Sequence, residues 1–157
     1  MAETTPDPAV DVVAPAMPAA LSMVVLSARD VPRLRRFYRD LGWEEHSGAS
    51  DDLSIFDLGG VALALHRDAD PARREPTRPP LPEDPAATLV VKVAGSGEVD
   101  AACTSAARAG ARIVSEPVDQ PWGGRSAVVA DPEGNRWELL WVPGSGPSAA
   151  PGPAPGG

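Results

Sequence analysis

Sulfur and imidazole are scarce in this chain of 157 residues, which holds one cysteine, Cys103, and two histidines, His46 and His66. A single cysteine excludes an internal disulfide framework and any multi-cysteine zinc site. Cys103 falls at an apolar helical position and reads as a buried, inert thiol. Lysine is nearly missing as well: Lys92 is the only one, and the net charge is -8. Such an acidic balance argues against nucleic acid and anionic membranes as partners. No stretch approaches the ~18 consecutive apolar residues of a membrane span. Residues 1–20 are Ala, Pro and acid with no basic start and no unbroken apolar run, which is not the pattern of a secretory signal. The GSG at 95–97 lacks the further glycine and lysine of a phosphate loop. There is no GxSxG, and no serine stands beside a plausible His–Asp pair. The expectation is a cytoplasmic protein with no nucleotide loop and no serine nucleophile.

What is present is an order of elements that occurs twice. Residues 21–28, LSMVVLSA, have a strand pattern. Asp30 then offers an N-cap oxygen, and Val31, Leu34, Phe37, Tyr38 and Leu41 recur at helical spacing up to Gly42. Strand-like pieces follow at 43–46, 53–58 and 61–66, the last two joined by a Gly59-Gly60 turn. The second half opens with a strand at 88–94. Ser96 is placed to cap a helix through Ala109, with Val99, Ala102, Cys103 and Ala106 on its inner face and Gly110 ending it. Strands at 112–116, 126–130 and 136–141 complete it. Each half therefore reads β-α-β-β-β, and such duplication is informative in itself.

The foldable part spans residues 21–142, as modules 21–66 and 88–142 joined by a proline- and charge-rich linker, 67–87. Residues 1–20 and 143–157, the latter almost wholly Pro, Gly, Ser and Ala, bury too little to order themselves and read as disordered tails. The fold class expected is α+β, with two tandem βαβββ modules forming a curved mixed sheet around a cavity.

The tandem pattern, with ARDVPRLRRFYRDLGW after the first strand and PWGGRSAVVADPEGNRWELLW near the end, resembles the vicinal oxygen chelate superfamily. That is the fold of glyoxalase I, extradiol dioxygenases, fosfomycin-resistance enzymes and bleomycin-resistance proteins. The resemblance covers about residues 21–142. It implies metal ligands, usually His, His or Glu, His, and Glu, at equivalent points on four strands. Carried over position by position, the slots fall at Met23, Ala64, Thr88 and Glu138. Only Glu138 is a donor of the expected kind. A shift in placement would bring His66 toward the second slot, since side chains two apart share a strand face. A divalent ion exchanges its waters only for several good ligands, so no metal and no other cofactor is expected.

Alternation along the strands gives the lining of the cavity instead. Val24, Leu26 and Ala28 should face the helix; Met23, Val25 and Ser27 should face the cavity. Ala62, Ala64 and His66 join them from the first half, and Thr88, Val90, Lys92 and Glu138 from the second. The result is a roomy, largely apolar cleft with a few polar points, which suits a small molecule. The alternative is that these strands pack on a partner chain or fill their own interior. Trp137 and Trp141 alternate with Glu138 and should be core. Trp122 sits in QPWGGR, a loop where the indole has no sheet to pack on, and is placed to stack on a planar ligand. Arg125, beside those glycines, is expected to stay solvated, and His46 to be a surface histidine.

No catalytic residue is assigned. The leading expectation is a metal-free protein that binds a hydrophobic or aromatic small molecule, similar to the bleomycin-resistance branch, where the resemblance implies drug or natural-product sequestration and homodimers with pockets between protomers. Two alternatives stay open: a glyoxalase- or dioxygenase-type enzyme of the same superfamily, and a ligand-binding accessory protein of a biosynthetic pathway.

Overall fold

A computed structural model describes residues 17–67 and 87–145. The expectations for most of both tails and for the linker lie outside the described residues. The first module runs β1 (Met23–Ala28), α1 (Val31–Asp40), β2 (Leu53–Asp57) and β3 (Ala62–Arg67). The second runs β4 (Leu89–Lys92), α2 (Ser96–Ala109), β5 (Arg112–Asp119), β6 (Arg125–Ala130) and β7 (Arg136–Trp141). The architecture is α+β, and the strands form two mixed sheets, ordered β1-β3-β2 and β4-β7-β6-β5. In each, the first strand lies parallel to the last strand of its module, and the last strand closes an antiparallel hairpin with the one before it.

The local chemistry explains most of the boundaries. Asp30 caps α1 by accepting from the Arg33 amide at 3.0 Å, and Pro32 stands in the first turn, where its missing N–H costs nothing. Val31, Leu34, Phe37 and Tyr38 form the buried stripe. Gly110 ends α2 in the left-handed region at φ 110°, which a side chain would disfavour. Ser96 does not cap α2, contrary to expectation. The helix begins at Ser96 with Gly95 in extended backbone before it, and the Glu98 carboxylate reaches back to accept from the Ala94 amide at 2.9 Å. Residues 43–46 are not a strand either. They make a single bridge, Glu45 to Phe56, backed by His46 N–H donating to the Ile55 carbonyl at 2.8 Å. Gly42 and Gly48, at φ 85° and 91°, bracket a stretch too short to carry a ladder.

The helices lie between the sheets. One core cluster joins Val31, Leu34, Phe37, Tyr38, Phe56 and Leu63 of the first module to Val99, Cys103, Ala106, Ala127, Val129 and Trp137 of the second. Tyr38 is its hub. Its ring stacks on Trp43 at 5.1 Å and meets Trp137 edge-on at 5.9 Å, and Trp43 meets Trp137 edge-on at 5.2 Å. Such pairs contribute about 0.5–1.5 kcal/mol each beyond area burial. The Tyr38 hydroxyl donates to Asp131 Oδ2 at 2.6 Å and accepts from Trp137 Nε1 at 3.1 Å. Burial, and then the Asp131 charge, push its pKa up, so it stays a neutral donor.

The turn at 131–135 locks the modules together. Buried Asp131 accepts from the Glu133 amide at 2.9 Å, the Asn135 amide at 3.0 Å and Asn135 Nδ2 at 2.8 Å as well as from Tyr38. Glu133 reaches the other module, accepting from the amides of Arg29 at 2.9 Å and Asp30 at 2.7 Å.

Candidate functional site

Because both modules turn their helix sides inward, the opposite faces of the two sheets point outward. On the first, the register aligns Met23 with Ala62, Val25 with Ala64 and Ile55, and Ser27 with His66 and Leu53. On the second, Val90, Glu138, Val128 and Ser115 form one row, and Lys92, Leu140, Ser126 and Val118 the next. Every strand residue read from the sequence as cavity-lining is thus on an outward face, with Thr88 just before β4. Val24, Leu26 and Ala28 turn to the core side as expected.

The outward faces are apolar and open. Met23 is 43% exposed, Val25 58% and Val90 50%, values at which an aliphatic side chain forfeits about half of its burial energy. Ser27, His66, Thr88 and Lys92 are exposed, Glu138 is half-buried, and Ala64 is buried between its strand neighbours. Glu138 makes no hydrogen bond or ion pair among the described residues, and Lys92 lies diagonally across from it, opposite Leu140. The two sets do not converge inside one chain. The core joining both helix sides lies between Met23 and Ala64 on one face and Thr88 and Glu138 on the other.

These four positions do not fit a divalent ion. They supply one carboxylate, and among the described residues no three or more His, Cys, Asp or Glu come together. Cys103 is buried, and burial, followed by the charges of Glu116 and Asp100, raises its pKa away from reactivity.

Trp122 is 55% exposed, at the tip of the β5–β6 hairpin, but it is not free. Its ring lies over Gly124, where a Cβ would collide with the indole and with the Trp141 carbonyl. Gly124 continues the alternation of Ser126 and Val128, which sets the indole at the hairpin end of the second outward face, roughly 13 Å along the strand from the Glu138 row. Arg125 corrects its expectation. It turns to α2 and donates from Nε and Nη2 to Asp100 and from Nη1 to Asp119, each at 2.8 Å. Strand alternation puts Arg125 on the helix side with Ala127, and the acids waiting there hold it charged. His46 is exposed as expected, and Trp137 is buried.

Sequence reasoning missed Glu133 and Asp131 as inter-module ligands of backbone and hydroxyl. The turn motif was the available signal; its partners lie about a hundred residues away in sequence.

Paired modules of one strand, one helix and a hairpin, with the helix sides turned inward, define a class of α+β fold. The sequence places the chain within it: residues 20–139 match the Glyoxalase/Bleomycin resistance protein/Dioxygenase superfamily, and the chain belongs to that superfamily. No curated protein matches it significantly. Among solved structures, it is similar to a glyoxalase-related enzyme from Fulvimarina pelagi (21% identity, TM-score 0.69, covering 80% of this chain and 89% of the other). It is also similar to a glyoxalase/bleomycin resistance protein/dioxygenase family enzyme from Burkholderia phytofirmans PsJN (24%, TM-score 0.66, 79% and 99%). A third is a lactoylglutathione lyase from Agrobacterium tumefaciens (25%, TM-score 0.59, 79% and 94%). Among the described residues no helix is long and apolar enough to cross a membrane.

Proposed function

We propose that the chain is a small-molecule-binding protein that acts as a homodimer, holding a hydrophobic or aromatic ligand between the outward sheet face of one protomer and that of its partner, and changing no bond in it. One observation carries this reading. The outward faces expose Met23 and Val25 on the first module and, on the second, Val90 beside a half-buried Glu138 that makes no ion pair among the described residues. Aliphatic side chains left this exposed on a sheet face favour an interaction site, and a second copy supplies the missing wall. Pairing the first module's face with the second module's face of the partner sets the Val25–Ala64 row against the Val90–Glu138 row. Glu138 is then a hydrogen-bond acceptor in an apolar cleft, suited to a ligand with a donor or cationic group.

Sequestration of a drug or natural product, as in the bleomycin-resistance branch, is the role this reading favours, in a cytoplasmic setting. A second reading, favoured by the likeness to the lactoylglutathione lyase, is an enzyme of the same superfamily. Incubating the protein with bleomycin and with planar aromatic natural products, then denaturing it and weighing the small molecule by mass spectrometry, separates the two. Bound ligand recovered intact supports sequestration. A new species in excess over protein makes the chain an enzyme.

A further inference from the structure

A cavity lies on the inward side, where nothing in the outward-face reading reaches. It measures about 260 Å³ and opens between α1 and α2. One wall is aromatic: Phe37, Tyr38, Trp43 and Trp137. The small residues Ala102 and Ala106 of α2 line another part, with exposed Ser105, and the aliphatic side chains Leu41, Val91, Val129 and Leu139 complete the lining. The void exists because aromatics on one side face alanines on the other, and no larger side chain fills the gap.

We propose that this cavity is a binding site for a neutral, planar, apolar molecule of one or two fused rings. Size sets the first limit. An apolar cavity of about 150 Å³ holds benzene, so 260 Å³ admits a bicyclic ring. Polarity sets the second. The Tyr38 hydroxyl in the wall is already spent on Asp131 and Trp137, and the Trp137 N–H is spent on Tyr38. Among the described residues no charged side chain lines the space. A charged ligand would be desolvated there without a partner, whereas Ser105 can meet one polar group at the mouth. Ring geometry sets the third. Trp43 is only half-buried and stands edge-on to Trp137 at 5.2 Å, leaving aromatic surface on the cavity side for stacking.

The test is calorimetric titration of the full chain with indole, paired with NMR of the tryptophan side-chain N–H signals. The expected result is saturable binding of one indole per chain, shifting the signals of Trp43 and Trp137 and leaving that of Trp122 in place. Ala102→Leu and Ala106→Leu each fill the void and should weaken binding at least tenfold, whereas Thr104→Ala, on the exposed side of α2, should leave it unchanged. Ala102 is half-buried, so its leucine variant keeps the test open if Ala106→Leu fails to fold. Absence of saturable binding overturns the proposal. So does binding that is indifferent to a folded Ala102→Leu and lost in Trp122→Ala, which would put the indole on the outward face.

Discussion

The two modules repeat one order of elements, yet they differ at the turn before the last strand and in the side chains of the outward face. In the first, β2 and β3 are joined through Gly59 and Gly60, at φ 72° and 99°, and the turn is satisfied locally by Asp57 accepting from the Gly59 amide at 2.8 Å. In the second, the equivalent turn carries Asp131 and Glu133, and both reach into the first module. On the outward face the row Val25–Ala64–Ile55 corresponds to Val90–Glu138–Val128, so the acid of the second module stands where the first has alanine. The second module therefore supplies both the lock of the fold and the carboxylate of this row, where the first is wholly apolar.

The largest effect should come from breaking the lock. Asp131→Ala leaves the Tyr38 hydroxyl and the turn amides without an acceptor, and should cost about 3–5 kcal/mol, read from urea unfolding. Deleting the local acid of the other turn, Asp57→Ala, should cost about 1 kcal/mol or less. Equal losses would erase the difference between the turns. Next, a charge on either outward face, Val25→Asp or Val90→Asp, should dissociate the proposed dimer while leaving each chain folded, as seen by sedimentation and far-UV circular dichroism. Trp122→Ala should weaken an aromatic ligand of the outward face by about 1–3 kcal/mol, with little change in melting temperature.

The smallest effect concerns pH and belongs to the first module alone. Partial burial would raise the Glu45 pKa, but the Ser54 hydroxyl and the Arg35 guanidinium outweigh it and lower it below the ordinary 4.5. A carboxyl held low in the folded state adds stability above its unfolded pKa and loses it as the pH falls through the folded value. Glu45→Gln should therefore reduce stability at neutral pH and flatten the acid limb below pH 4.5. An unchanged acid limb would remove Glu45 from the account.

Local signals were legible. Strict alternation at Arg136–Trp141, the Asp30 cap and the Gly110 stop each act within a few residues, and the structure has them where the pattern puts them. The outward set from Met23 to Glu138 was legible too, because a side-chain period of two fixes the face once the strand is known. Whatever depends on docking was not. Alternation says which residues share a face but not whether two faces meet, so a cavity within one chain and two faces turned apart read alike. Arg125 looked solvated because its acids, Asp100 and Asp119, come from α2 and from the facing strand β5. The segment 43–46 had strand composition, and only its length between two glycines with positive φ limits it to one bridge.

The central claim is that the outward faces are working surfaces completed by a second copy. Sedimentation equilibrium of the full chain at tens of micromolar, roughly the range in which a stable dimer stays associated, tests it most directly. The account predicts twice the 16.2 kDa chain mass for the native protein, falling to the single-chain value in Val25→Asp. A native protein that sediments at 16.2 kDa throughout that range would contradict it.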